Sequence, residues 1–561
     1  MERFLASETG PDGRRLSSHA GVARTYRART LLVFVILQCV LYGVNLNLLP
    51  MWGDESSSLV KAAETPAGII EIGREDIHPP LYFLLAHWWD RIPIGTDPLL
   101  RLRALSPLFA ILTTIFIDRR WLRNAPLNLR NWFLLFWIFS PCLLLYSRMA
   151  RYYSMQVFFA AVAIWYLLRW IENSNEWKNL AAFVAALTVL LYTHYLPGIA
   201  VWAGANLLLA MQLRRRRATW KMWLLPNVLV AVLYLPWLIT LFRALGQWRL
   251  SQVYSLTGNL WAEQVVKLCY CFYSFTFGES VPVWLLPITL LLALPCLWLV
   301  VSGARLRRDW LWPALFTAAL AFLGATRWVS YPFVGARLLF LLPLFLLALA
   351  AGVTTKGRSG TALGVILLAV NLAGLWTYYQ ARDLLNAGYL VPSQRIAEQI
   401  ALHSSSEDTV VWVDEVSFDG SALEYYLPKD FRIRWLTSPE SVEEARSELT
   451  GGAIRHVWLV RSSNDISPGH IFENLESQMT QAWSEHALYS YVPFSPLHLA
   501  VLRALALLRH QDGNQRRRYF CEVWEFTAPA NPTGVAEPAG MQPKQPRTMR
   551  LRRPPLAASH P

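Results

Sequence analysis

A mainly α-helical protein that crosses a membrane about eleven times and carries a small α/β domain after its last span is the fold class this sequence predicts. Three observations predict it. The 561 residues are 54% hydrophobic and include 26 tryptophans, which is too apolar and aromatic for a soluble domain of ordinary composition. Apolar runs near the length of about 20 residues needed to cross the hydrocarbon recur through the first two thirds of the chain. The formal charge of +14 sits in short arginine clusters between those runs. A basic stripe along one face would suit nucleic acid; clusters at alternate loops suit positive-inside topology, so no nucleic-acid partner is expected.

The spans fall near 31–50, 102–118, 131–147, 154–170, 179–195, 196–213, 222–241, 283–302, 310–326, 336–352 and 361–378. Leu81 to Ile92 is apolar but short and is followed by Pro93, Gly95 and Pro98, which predicts a helix lying at the membrane surface. With the N-terminus inside, the inner segments then hold Arg14, Arg15, Arg24, Arg27 and Arg29, next Arg119, Arg120, Arg123 and Arg130, next Arg214 to Arg217, next Arg305, Arg307 and Arg308, and finally Lys356 and Arg358. Counting 81–92 as a full span would put the second cluster outside. The basic segment 1–30 is thus cytoplasmic, 31–380 is the transmembrane domain with a first outer loop at 51–101, and everything after the last span is extracytoplasmic. The first apolar segment shows no small-residue cleavage site and reads as an anchor in the inner or plasma membrane.

After Tyr379 the pattern changes. VVWVDEV at 410–416, HVWLVRS at 456–462 and YFCEVWEF at 519–526 read as strands, and Ser393 to His403 and Ser438 to Leu449 read as helices. An α/β domain over 381–526 follows, with a tail over 527–561 rich in Pro, Ala, Gln and Arg that is expected to be disordered. The six cysteines, at 39, 142, 269, 271, 296 and 521, have no metal-ligand spacing and are read as buried, inert thiols.

The chemistry concentrates at the outer face. The first outer loop opens with MWGDESSSLV and closes with REDIHPPLYF, which sets Asp54, Glu55 and Asp76 beside apolar segments where a carboxylate is costly without a partner. Glu64, Glu71 and Glu75 are read only as acidic groups that keep the loop outside. His78-Pro79-Pro80 stiffens the backbone just before the surface helix. In SRMARYYSM at 147–155, Arg148 and Arg151 stand three apart on the face where the charge rule disfavours them, and pairing with a phosphate is a reason to be there. Arg101, Arg327 and Arg337 lie near outer boundaries as well. His194, inside Tyr-Thr-His-Tyr, reads as an interfacial histidine in an aromatic belt.

These residues resemble the C-type membrane glycosyltransferases, related to protein mannosyltransferases and the aminoarabinose transferase of lipid A. The resemblance rests on Asp-Glu after the first span, Asp-x-His-Pro-Pro-Leu-Tyr at 76–82, Ala-Arg-x-Tyr-Ser at 150–154, Tyr-Thr-His-Tyr at 192–195 and Leu-Pro-Trp at 235–237. It covers about 40–380 in consistent order. It implies a polyprenyl-phosphate-linked sugar as donor and an extracytoplasmic acceptor, lipid, glycan or protein. Asp54 is then the base for the acceptor, with Glu55 and Asp76 as further catalytic candidates, and His78, Arg101, Arg148, Arg151, Tyr153 and Arg337 hold substrate. Arg148-Met149 stands where relatives often have Gln-Glu, so a divalent metal is left open; Arg337 is followed by Leu338 where relatives often have Tyr.

Two other classes compete. A transporter or lipid flippase also carries charge near its spans, but here the charges gather at one face rather than at mid-depth, and paired broken helices are not evident. A non-catalytic envelope-assembly protein would use the outer α/β domain to bind a partner. Substitution of Asp54 separates both from an enzyme.

Overall fold

The computed structural model describes residues 16–76, 78–93, 95–215, 219–247, 260–327, 334–414, 420–449, 454–462, 479, 485–492, 494–508 and 521–528. The first residues of the basic N-terminal segment and the tail from 529 onward lie outside these. The chain forms two compact units, one of residues up to Leu48 with Ser58–Gln380, the other of Leu49–Ser57 with the chain from Ala381.

The first unit is helical. Among the described residues, eight of its helices are long and apolar enough to cross a membrane: Thr25–Gly43, Pro98–Trp121, Tyr153–Glu172, Tyr195–Arg214, Trp220–Arg243, Val283–Ala304, Gly335–Thr355 and Gly357–Tyr379. Leu127–Ile138 and Pro141–Ser147 form an apolar helix pair bent by 51° at the break between them, and Trp177–Thr193 and Leu311–Thr326 are shorter apolar helices. Each of the eleven expected spans falls on one of these helices or on the bent pair, eight of them on a helix long and apolar enough to cross. The bend has a local cause: Pro141 cannot donate into the preceding turn, and the Ser140 side chain caps the new helix by accepting from the Leu143 N–H at 3.2 Å. Leu81–Asp90 is a ten-residue helix, α4, too short to cross, as expected for the surface segment.

Along α13 (Leu286–Ala304), Leu290, Leu291 and Leu294 are 65%, 77% and 74% exposed, so this face is solvated by lipid. All six cysteines are free thiols, but Cys39 and Cys269 lie on outward helix faces, which corrects the expectation that all are buried. At the opposite end from the candidate site, the Arg130 guanidinium is fully buried and pairs with Asp118 at 2.5 Å.

The second unit holds a five-stranded sheet in the order β2-β1-β3-β5-β4, built from β1 (Thr409–Asp414), β2 (Arg432–Leu436), β3 (His456–Ser462), β4 (Glu485–Tyr491) and β5 (Cys521–Thr527). β1 pairs in parallel with β2 and β3; β5 runs antiparallel between β3 and β4. Successive side chains alternate faces. Val410, Trp412, Val457, Leu459, Trp524 and Phe526 pack with Val442 and Ala445 of the helix Pro439–Leu449. Val411, Val413, Trp458, Val460 and Val523 pack with Ile396 and Ile400 of the helix Ser393–His403. Helices cover both faces, so the central strands read as unbroken apolar runs. Each fully buried Val or Leu contributes about 1.5–3 kcal/mol. The edge strands β2 and β4 were not expected from the sequence; along β2 only Leu436 is buried, so the apolar signal is missing there.

Candidate functional site

The loop between the first two spans folds into α2 (Gly53–Ala63), α3 (Pro66–Glu75) and α4. Thr65 caps α3 by accepting from the Gly68 N–H at 3.1 Å, and Pro66 fills the first helical position. Asp76 ends α3. Its carboxylate is ion-paired with the buried Lys61, and its Oδ1 accepts from the His78 N–H at 3.1 Å. The His78 Nδ1 lies 3.0 Å from the Asp76 carbonyl, which can only accept, so the ring's proton is assigned to Nδ1. Lys61 also sits 4.5 Å above the Phe83 ring, a cation–π contact. The turn is tight enough that a Cβ at Gly73 would meet the His78 carbonyl at 2.7 Å and the Trp237 ring at 3.4 Å.

Burial alone would raise the Asp76 carboxyl, but hydrogen bonds and charge from His78 and Lys61 outweigh it and bring it down to about 2. A depressed carboxylate stabilises the fold above its unfolded value of about 4 and loses that contribution as pH falls through the folded value. The stability difference between the parent and Asp76→Asn, measured by thermal unfolding in detergent, is therefore expected to be constant above about pH 5 and to shrink between pH 4 and about 2. A difference that persists at pH 2 would mean that Asp76 acts through shape rather than charge.

The two arginines of the Ser147–Tyr152 break have separate tasks. Arg148, 2% exposed, turns toward the end of α1 (Leu16–Gly43): its guanidinium donates to the Leu41 carbonyl at 3.1 Å, to the Tyr379 hydroxyl at 2.9 Å and to the Asn45 carbonyl. Cations at a helix C-terminus offset its open carbonyls. Arg148 therefore secures the first span, where the sequence suggests a substrate contact. Arg151 turns elsewhere: its Nη1 donates to the Ser58 hydroxyl at 3.2 Å and its guanidinium lies 4.8 Å over the Tyr152 ring. The break is fixed from α5 (Pro98–Phe116) by the Ser106 hydroxyl, 2.6 Å from the Met149 carbonyl and 3.0 Å from that of Arg151.

His194 joins α9 (Trp177–Thr193) to α10 (Tyr195–Arg214) in extended conformation, and its Nδ1 accepts from the Leu196 N–H at 3.1 Å. It is a helix cap, and a nitrogen that accepts leaves the proton on Nε2. Its ring lies 4.8 Å from that of Tyr152. Burial first, then the charges of His78, Arg337 and Arg151, push its imidazole down to about 3, so it is neutral. Next to it, the Tyr195 hydroxyl accepts from the Trp237 indole at 2.7 Å, and Tyr82 meets Tyr152 edge-on at 6.0 Å. Four strings far apart in sequence, at 76–82, 150–154, 192–195 and 235–237, thus meet in the first unit.

The remaining candidates divide. Arg337 sits on a 3-10 turn, Gly335–Leu341, and belongs to the group acting on His194. Tyr153 is buried, edge-on to Tyr146 at 5.6 Å and to Tyr152 at 5.2 Å, a packing position behind Tyr152. Arg101 pairs with Asp90 at 2.8 Å and donates to the Gly95 carbonyl at 3.0 Å, which clamps the end of α4. Asp54 and Glu55 belong to the second unit. Glu55 is buried; its Oε2 accepts from the Trp52 N–H at 3.1 Å while its own N–H donates to the Trp52 carbonyl at 2.8 Å. That is the carboxylate half of a capping box at the start of α2. Asp54, one residue earlier in the first turn, is half-buried. Lys61 was not singled out in the sequence, because a lysine on a polar helix gives no sign of a partner 15 residues away. Among the described residues, no three His, Cys, Asp or Glu side chains gather in a group that could hold a metal ion.

No family model and no curated protein matches the chain. The solved structures it is similar to include two of one protein. One is the crystal structure of ArnT from Cupriavidus metallidurans in the apo state, with 13% identity and a TM-score of 0.48, covering 89% of this chain and 98% of that one. The other is ArnT from the same organism bound to undecaprenyl phosphate, with 13% identity and a TM-score of 0.45, covering 88% and 97%. At this identity each residue's role rests on this chain's own geometry.

Proposed function

We propose that this protein is a C-type membrane glycosyltransferase that takes a sugar from a polyprenyl-phosphate carrier and transfers it to an extracytoplasmic acceptor. The observation that supports this most is the meeting of four of the resembling strings around Tyr152 and His194, a buried imidazole whose charged form Arg151 and Arg337 both disfavour. Like charges held together repel, so an anionic ligand suits the gathering, and guanidinium groups suit a phosphate through forked hydrogen bonds.

In the proposed reaction Asp54 takes the proton of the acceptor's hydroxyl or amine, whose heteroatom attacks the anomeric carbon. The bond from that carbon to the phosphate oxygen breaks, and the polyprenyl phosphate leaves with the electron pair. Arg151 and Arg337 offset the charge that develops on it. One displacement inverts the anomeric centre. Glu55 holds the first turn of α2 through its cap and so steadies Asp54 rather than sharing its chemistry.

The test is transfer from a labelled polyprenyl-phosphate sugar by the purified protein, beside mass spectrometry of envelope glycolipids and glycans from a deletion strain and its parent. Loss of one sugar from one acceptor class and matching transfer in vitro are expected. Use of a sugar nucleotide in place of the lipid donor would overturn the proposal.

A further inference from the structure

Between α12 (Leu260–Phe277) and α13, in a link outside the spanning helices, Glu279 is completely buried. Its Oε1 accepts from the Tyr146 hydroxyl and, at 3.0 Å, from the Ser274 hydroxyl, and the Gly335 N–H and the Tyr270 hydroxyl lie close enough to the carboxyl to act on it. Among the described residues, Oε2 has no partner. These donors come from separate parts of the chain: Tyr146 from α7 (Pro141–Ser147), just before the arginine-bearing break, Tyr270 and Ser274 from α12, and Gly335 from the start of the turn that carries Arg337.

The backbone is shaped to let them meet. A Cβ at Gly335 would lie 2.6 Å from the Ser274 hydroxyl and 3.3 Å from Glu279 Oε1. Gly278, at φ +81°, takes a conformation open to glycine, and a Cβ there would lie 2.5 Å from Pro141. On its other side the same turn is held by the Gln156 amide, which donates to the Ala336 carbonyl at 3.0 Å. Gly335 and Ala336, the two residues before Arg337, are therefore gripped in succession, one by an acid and one by an amide.

We propose that Glu279 is a positioning residue that fixes the Arg337 turn against the Tyr146 helix, and through Arg337 sets how tightly the site holds the phosphate of its lipid donor. The proposal rests on the reading of Arg337 as a phosphate contact given above. Burial raises the Glu279 carboxyl above its ordinary range against the opposing effect of its donors. What the turn uses is the carboxyl's capacity to accept hydrogen bonds. An amide can do the same.

The experiment measures KM and kcat separately for a labelled polyprenyl-phosphate sugar in the full-length protein. Glu279→Gln is expected within about threefold of the parent, whereas Glu279→Ala raises the donor KM by roughly tenfold with little change in kcat, the scale of one or two lost hydrogen bonds. Glu279→Leu, which keeps volume and removes the acceptor, stands in should the alanine variant fail to fold, with the same expected result. Adding Glu279→Ala to Arg337→Ala is expected to raise KM no further than Arg337→Ala alone, since both act through one contact. A purely structural role would instead lower kcat as well as donor affinity and add to the effect of Arg337→Ala; additivity in the double variant overturns the inference. If Arg337→Ala leaves donor KM unchanged, the phosphate assignment of Arg337 fails and the inference with it. If Arg337→Ala weakens the donor while Glu279→Ala does not, only the inference fails.

Discussion

Asp54→Asn is expected to insert and purify like the parent, to bind the lipid donor as well as the parent, and to lose transfer by about a hundredfold or more. Asparagine keeps the shape and much of the hydrogen-bonding reach of aspartate but cannot take a proton, and removal of a general base costs about 10²–10⁴ in rate. Structural damage should be slight, because Glu55 caps the start of α2 by accepting from the Trp52 N–H. Glu55→Gln is correspondingly milder, since an amide oxygen can still accept from the Trp52 N–H. The measurement is transfer from a labelled polyprenyl-phosphate sugar in detergent, with protein level and donor binding followed in parallel. Parental transfer by Asp54→Asn with an inactive Asp76→Asn would move the base to Asp76. Full activity in both would remove the carboxylates from the chemistry altogether.

The second large effect belongs to Arg151. Arg151→Ala should weaken donor use by roughly tenfold to a hundredfold, the equivalent of about 1.5–3 kcal/mol for a charge-assisted contact. Arg151→Lys should fall between, because lysine keeps the charge and loses the fork. Arg148→Ala makes an informative companion. Its guanidinium serves the end of α1, so its loss is expected to appear in the thermal stability of the bundle before it appears in donor KM. Equal donor defects in the two variants, with stability unchanged, would merge the roles separated here.

The spans were legible because the thickness of the hydrocarbon sets a length that a sequence either meets or does not, and the arginine clusters supplied a second, independent constraint. The resembling strings were legible as local patterns, and four of the five meet in the first unit. What escaped were relations across distance. Arg148 and Arg151 share one short string, and only the turn between them sends the first to carbonyls about a hundred residues earlier and the second to Ser58. Lys61 looked like any lysine on a polar helix. The sequence places His194 at an interface; its capping of α10 is foreseeable from its place before Tyr195-Leu196-Pro197, but the approach of Arg151 and Arg337 is not. Glu55 carried a signal that was present and not used, a carboxylate three residues after the position it caps. In the α/β unit, the strands covered on both faces announced themselves as apolar runs, and the strands at the sheet's edges did not.

The grip of Arg148 on the end of α1 also orders events in time. A chain made from its N-terminus presents α1 to the membrane first, with its last carbonyls still unanswered. The guanidinium that receives them is synthesised about a hundred residues later, 103 after Asn45 and 107 after Leu41. The Tyr379 hydroxyl, which donates to the same Leu41 carbonyl and accepts from the same guanidinium, arrives only with the last spanning helix, 231 residues after Arg148. Assembly of the bundle thus closes like a clasp: its first helix is fastened in the middle of synthesis and locked by its last, and a chain truncated before Tyr379 would leave the ribosome with its opening helix only half secured.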